Sequence, residues 1–187
     1  GTQLLTCQSN RFIDNSSNAY TITVNGTPSV QRFSPFNPTA SYSTATIGGS
    51  GYFDGSGDYL TVPDNAALQM GSGDFTAEFY WYPTSFTSYQ TPLDKGYIGA
   101  GGLLFQTNTG TGTLLIYANG SLAITASSSA TLNQWNHVAA TSDGTNVSLY
   151  ANGVRVAGPT AVTVGTSTSL IYLGNYPVDN PWLTGYI

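Results

Sequence analysis

The sequence predicts an all-β protein in which two antiparallel sheets pack face to face as a sandwich. Three observations carry this. Only 7% of residues are charged, with one Glu and one Lys, whereas Thr, Ser, Gly and Asn abound and aromatics reach 13%. Such a composition suits strands and polar turns and starves helices of their preferred Ala, Leu, Glu and Lys. Asn25-Gly26, Asn119-Gly120, Asp143-Gly144 and Asn152-Gly153 punctuate the chain. Two-residue hairpin loops need positive φ, which Gly, Asn and Asp tolerate. Finally, Phe75, Ala77, Phe79 and Trp81 alternate with Thr76, Glu78, Tyr80 and Tyr82, so one face of that strand is expected in the core. The 187 residues suffice for one such domain, spanning 1–187.

Taken in order, Leu4 to Gln8 predicts a short first strand carrying Cys7 as a small buried residue. Asp14-Asn15-Ser16-Ser17-Asn18 predicts a turn closed by side chains on their own backbone, followed by an alternating strand from Tyr20 to Val24. Residues 28–50 hold Pro28, Pro35 and Pro38, which argues for an irregular wrapped segment. Gly51 to Val62 predicts two strands joined by a Gly-rich turn, and Pro63 to Leu68 a helical turn.

Asp74 to Tyr82 is the most aromatic strand. Leu93 to Ile98, Gly102 to Thr107, Thr113 to Ala118 and Ser121 to Ala126 follow, then a meander from Trp135 to Val156 with turns at Asp143-Gly144 and Asn152-Gly153. Leu115 to Gly120 echoes Ser148 to Gly153, one hairpin solution used twice. Ala161 to Val164 and Leu170 to Leu173 are further strands, Gly174 to Trp182 forms a loop, and Leu183 to Ile187 ends the chain.

Trp135-x-His137-Val138-Ala139, a turn, then Leu149-Tyr150-x-Asn152-Gly153-x-x-Val156 resembles the central hairpin of laminin-G-like domains, jelly-roll sandwiches also called concanavalin A-like. Phe53-Asp54-Gly55 followed by Asp58-Tyr59-Leu60 is similar to the same pattern. The resemblance implies a two-sheet antiparallel jelly roll, with Trp135 and His137 as structural residues of its core. In such domains Gly-x-Ile, here Gly185-Tyr186-Ile187, begins a last strand whose end the sequence lacks, so either that strand is completed from elsewhere or, the favoured expectation, the chain is part of a longer polypeptide. The wording from Leu4 to Asn18 is similar to modules, often in tandem, of virion and tail proteins of marine bacteriophages.

Charge narrows the partners. The net charge is −5, and Arg11, Arg32, Lys95 and Arg155 are scattered, whereas phosphate backbones need clustered cations. Nucleic acid is not expected as a partner. No apolar run approaches the roughly 20 residues of a membrane helix, and no membrane partner is expected. Related glucanases carry paired glutamates on one strand, and flanking carboxylates are what glycoside hydrolysis requires. Glu78 stands alone, so no enzyme activity is expected. His137 comes with no nucleophile elbow.

Two site readings remain. Tyr176, Asp179, Asn180 and Trp182 join aromatic faces to polar groups in a Pro-braced loop, as sugar recognition requires; the alternative is that Tyr176 and Trp182 close the end of the core. Many laminin-G-like domains bind calcium through loop acids, which brings Asp58, Asp64 and Asp179 into view, with Asp58 and Asp179 the favoured pair; the alternative is that they cap turns. The reading that follows is a binding or adhesion module of a virion, tail fibre, or extracellular or cell-surface protein, presenting loops to host-surface glycan or protein. The competing reading is a structural building block of a fibre, tail or capsid, partnered by other copies of its own assembly.

Overall fold

A computed structural model describes residues 1–7, 11–35, 49–97, 101–179 and 181–187. Fourteen strands are present among them, in chain order β1 (Thr23–Asn25), β2 (Ser29–Gln31), β3 (Ser50–Asp54), β4 (Tyr59–Val62), β5 (Asp74–Pro83), β6 (Leu93–Lys95), β7 (Leu103–Thr107), β8 (Thr113–Ala118), β9 (Ser121–Ser129), β10 (Asn136–Asp143), β11 (Asn146–Ala151), β12 (Val154–Ala161), β13 (Ile171–Leu173) and β14 (Thr184–Tyr186). They form two seven-stranded antiparallel sheets. The first runs β1-β4-β13-β6-β7-β8-β9 and the second β12-β11-β10-β5-β14-β3-β2. This is the jelly-roll sandwich that the sequence predicts.

Local chemistry explains the hairpins. Asn119 and Gly120 have φ of 51° and 78°, and Asn152 and Gly153 have 50° and 78°, as the β8–β9 and β11–β12 turns demand. At the β10–β11 turn, Gly144 takes φ 83°, and Asp143 Oδ1 accepts from the backbone N–H of Thr145 and Asn146 at 3.0 and 2.7 Å. Pairing across that turn sets Ala140 against Leu149 and Val138 against Ala151, which keeps Val138, Ala140, Val147 and Leu149 in the core.

The expected core face of β5 holds. Trp81 is fully buried, with Phe75, Ala77 and Phe79 packed beside it. Phe79 meets Phe105 of the opposite sheet edge-on at 5.3 Å. The Gly-rich turn after β3 joins two strands of different sheets: β3 pairs with β2 and β14, and β4 with β1 and β13. Residues 54–59 are therefore a crossover between layers. The helical turn is Ala66–Leu68, capped by Asn65, whose side chain accepts from Ala67 N.

Several boundaries differ from expectation. Residues 4–7 form no strand: the Leu5 N–H donates to Asp14 Oδ1 at 3.0 Å, and its carbonyl accepts from Asn15 N at 2.7 Å. Side-chain bonding replaces a ladder there. Cys7 is buried as expected, its thiol pushed up to about 11 by burial, but at φ 60° it lies outside any strand. The Tyr20 to Val24 strand shortens to Thr23–Asn25, because the Tyr20 N–H is spent on Asp14 Oδ2 at 2.9 Å. Ala161 closes β12, and 162–164 form no strand of their own. Ile98 and most of residues 28–50, from 36 to 48, lie outside the described residues.

The central hairpin needs one correction. Asn136 and Val138 point inward, so alternation sends Trp135 and His137 outward. Trp135 is half-buried among Phe33, Tyr82 and Tyr186, with ring centroids 5.3 to 6.4 Å away, on the outer face of the second sheet. His137 sits against Tyr80 at 4.8 Å, and its Nε2 lies 3.0 Å from Glu78 Oε2. Neither residue belongs to the core.

Candidate functional site: a tyrosine cleft on the first sheet

Strand alternation decides what reaches the outer face of the first sheet. Leu103 and Phe105 of β7 and Leu114, Ile116 and Ala118 of β8 enter the core, so Leu104, Gln106 and Tyr117 turn outward. Register sets Leu104 between Asp94 of β6 and Tyr117 of β8. Over this floor opens a cleft of about 360 Å³, lined by Ser88, Tyr89, Tyr97, Leu104, Gln106, Tyr117, Tyr176, Asp179 and Pro181. The β5–β6 connection supplies Ser88 and Tyr89, the chain just beyond β6 supplies Tyr97, and the β13–β14 loop supplies the last three.

Tyr97 is the hub. Its ring stands edge-on to Tyr117 at 5.3 Å and to Tyr176 at 5.1 Å, an arrangement the ring quadrupoles favour. Its hydroxyl donates to the Gly120 carbonyl at 3.3 Å, and its backbone N–H donates to Asp94 Oδ1 at 2.9 Å. A loop tyrosine is thus held at both ends and presents a fixed face.

Burial dominates the electrostatics. Asp94 is 2% exposed, and desolvation pushes its carboxyl up to about 6, against the opposing pull of the Tyr97 and Gly96 N–H groups and of Lys95. The Tyr176 phenol is pushed up to about 12, first by burial and then by Asp179, Tyr97 and Asp94. Tyr117 is raised by burial and by Tyr97 and Tyr89. At neutral pH these phenols are neutral hydroxyls, able to donate and to accept. With Ser88, Gln106 and the exposed Asp179, the cleft offers aromatic faces edged by polar groups.

The residues singled out in sequence divide. Tyr176, 4% exposed, and Asp179 come together at the cleft. Trp182 does not line it: its half-buried ring lies against Tyr59 at 5.8 Å, and Tyr59 against Tyr172 at 5.9 Å, an aromatic row on the outer face of the same sheet. Asn180 lies outside the described residues. Asp58 is 1% exposed, and its oxygens accept from the backbone N–H of Thr27 and Asp54. It braces the turns at 26–27 and 54–58, whereas Asp179 stands at the cleft. Asp64 is held by Lys95 and Gln69. Among the described residues no group of three or more His, Cys, Asp and Glu could hold a metal ion.

Sequence reasoning missed Tyr89, Tyr97, Tyr117, Ser88 and Gln106. The outward alternation of Tyr117 beside Ile116 was a usable signal; nothing local marks Ser88 and Tyr89, which reach the cleft only through tertiary folding. Glu78 and His137 face out from β5 and β10 of the second sheet, on the far side of the sandwich from the cleft.

Fold and site together define a β-sandwich whose concave feature is aromatic and lacks paired glutamates. Residues 54–187 match the laminin-G model described as the concanavalin A-like lectin/glucanases superfamily, and the chain belongs to that family. Comparison with curated proteins gave no match. Among solved structures, the chain is similar to domain 4 of AbnA, a GH43 extracellular arabinanase from Geobacillus stearothermophilus, in complex with arabinotriose, at 19% identity and a TM-score of 0.66, covering 92% of this chain and 82% of that one. A structure described under cell entry of botulinum neurotoxin type C and its dependence on two ganglioside molecules aligns at 15% identity and TM-score 0.66, covering 98% of this chain and 46% of that one. Domains LG4-5 of the mouse laminin alpha1 chain align at 19% identity and TM-score 0.57, over 75% of this chain and 40% of that one. At these identities the likeness is one of fold.

Proposed function

We propose that this chain is a non-enzymatic carbohydrate-binding module of an extracellular, cell-surface or virion protein, and that the tyrosine cleft receives the sugar. The observation that carries the reading is the cleft itself: Tyr89, Tyr97, Tyr117 and Tyr176 around Leu104, with Ser88, Gln106 and Asp179 as polar groups. Sugar rings present apolar C–H faces and a rim of hydroxyls, and a pocket of aromatic walls with few polar groups suits both. The complex of the arabinanase domain with arabinotriose, and the ganglioside dependence of the neurotoxin, support the reading by analogy of fold. Trp182, Tyr59 and Tyr172 extend it as a flanking platform for a longer oligosaccharide. Asn180, next to Asp179 in sequence, is a further candidate sugar contact. Calcium enters as a candidate ion at Asp179; Asp58 serves as a turn brace. A host-surface protein carrying the glycan is the natural larger partner.

A glycan array probed with wild type, Tyr97→Ala and Trp182→Ala, each with calcium and with chelator, tests this. Wild type is expected to retain a glycan, Tyr97→Ala to lose it, and Trp182→Ala to weaken the longer members. No retained glycan, or binding indifferent to Tyr97→Ala in a folded variant, overturns it.

A second reading, a building block of a fibre, tail or capsid, draws on the aromatic row of Tyr52, Tyr186, Tyr82 and Trp135 on the outer face of the second sheet. Electron microscopy of the assembled particle decides it, because a packing role buries that face in a symmetric array.

A further inference from the structure

We infer that the tyrosine cleft takes neutral saccharides and rejects anionic ones such as sialylated, uronic-acid or sulfated glycans. This rests on the cleft being a sugar site at all, and adds the class of sugar. The argument is one of charge placement. Carboxylates and sulfates on ligands are held by Arg or Lys, whose charge-assisted hydrogen bonds replace the lost hydration of the anion. The chain has only four basic residues and one histidine, and none of the five lines the cleft.

Lys95 is the nearest in sequence. It follows Asp94 on β6, so it points to the opposite side of the sheet; it is 1% exposed and spends its ammonium on Asp64 Oδ1 at 2.6 Å and on the Ser169 carbonyl. Arg155 lies on β12, at an edge of the second sheet, across from Tyr150. Arg32 follows β2 at the other edge of that sheet, and Arg11 precedes β1 in the N-terminal segment. His137 faces out from the second sheet beside Glu78.

The groups that do reach the cleft have the opposite sign or none. Asp179 stands exposed at its rim, and the buried Asp94, paired in register with Leu104 and so on the same face of the sheet, has its carboxyl bonded to the Tyr97 N–H. Ser88, Gln106 and the tyrosine hydroxyls are neutral and reciprocate both donors and acceptors of a sugar hydroxyl. Without a metal ion at Asp179, an anionic ligand would meet no cation, the exposed carboxyl of Asp179 and the buried one of Asp94, and like charges brought together at an interface act as a filter against the wrong partner.

The test measures Kd by calorimetry for matched pairs, a neutral oligosaccharide and its sialylated, uronic-acid or sulfated counterpart, in chelator so that no bridging cation intervenes. The acidic member of each pair is expected to bind at least about tenfold more weakly. The gap is expected to narrow in high salt, since an exposed carboxylate is screened, and to narrow in Asp179→Lys. Binding of the acidic member as tight as or tighter than the neutral one overturns the inference and leaves the cleft standing as a sugar site. Absence of binding by both members of every pair overturns the site reading and the selectivity with it.

Discussion

The backbone N–H of Tyr97 donates to Asp94 Oδ1 at 2.9 Å, so a buried carboxyl beside Leu104 of the cleft floor holds the residue whose ring forms the cleft's hub. Burial is the larger influence on that acid, raising it to about 6, well above the unfolded value of about 3.9. Between those two values the folded chain binds the proton more tightly than the unfolded chain, so the contribution of Asp94 to stability falls as pH rises from about 4 to about 6. Asparagine keeps an oxygen for the Tyr97 N–H and has no charge to desolvate. Asp94→Asn is expected to be more stable than wild type by about 1–3 kcal/mol at pH 7, with the difference vanishing near pH 4. Urea unfolding across that range measures it; equal pH slopes in the two proteins would count against it.

Lys95 and Asp64 form an asymmetric pair, the ammonium 1% exposed and the carboxylate 23%. Removing either partner therefore has unequal cost. Asp64→Ala strands a buried charge and is expected to cost about 3–5 kcal/mol, whereas Lys95→Met leaves a carboxylate that water can reach and costs about 1–3 kcal/mol. The hydrogen bond from Lys95 is the main reason that Asp64 sits below the usual carboxylate range, with burial opposing and Gln69 assisting. Its contribution is complete above the unfolded value and is lost as pH falls through the folded one. Unfolding midpoints of the two variants, at neutral pH and in acid, check both the order and the sign.

Asp58 answers to backbone. Its oxygens serve the N–H groups of Thr27 and Asp54 inside the fold, and Asp58→Ala leaves both donors without that partner. A loss of about 2–4 kcal/mol is expected, of the same size in calcium and in chelator. A loss that appears only with calcium would return Asp58 to the role of a metal ligand.

Two tryptophans separate inside from outside. Trp81 is fully buried and meets Phe86 edge-on at 5.8 Å, so Trp81→Ala is expected to cost about 3–5 kcal/mol. Trp135 stands on the outer face among Phe33, Tyr82 and Tyr186, and Trp135→Ala should cost markedly less, about 1–2 kcal/mol. Chemical denaturation of the two variants tests the corrected orientation of the central hairpin; equal losses would place Trp135 back in the core.

By itself the sequence determined the architecture: alternation in β5, and positive-φ dipeptides at Asn119-Gly120 and Asn152-Gly153, are local properties, and local properties specify strands, turns and faces. It also settled the charge balance, since four scattered cations are visible without a structure. Tertiary structure alone decided which strands share a sheet. The turn at 54–59 looks the same in sequence whether it closes a hairpin or crosses between layers, and here it crosses. The face taken by Trp135 was decided likewise: periodicity gives two faces, and only packing says which one is buried. Above all the fold assembled the cleft, bringing Tyr89, Tyr97, Tyr117 and Tyr176 from four separate stretches of chain to one patch of the first sheet. Pairings between distant strands set that convergence, and no window of sequence contains them.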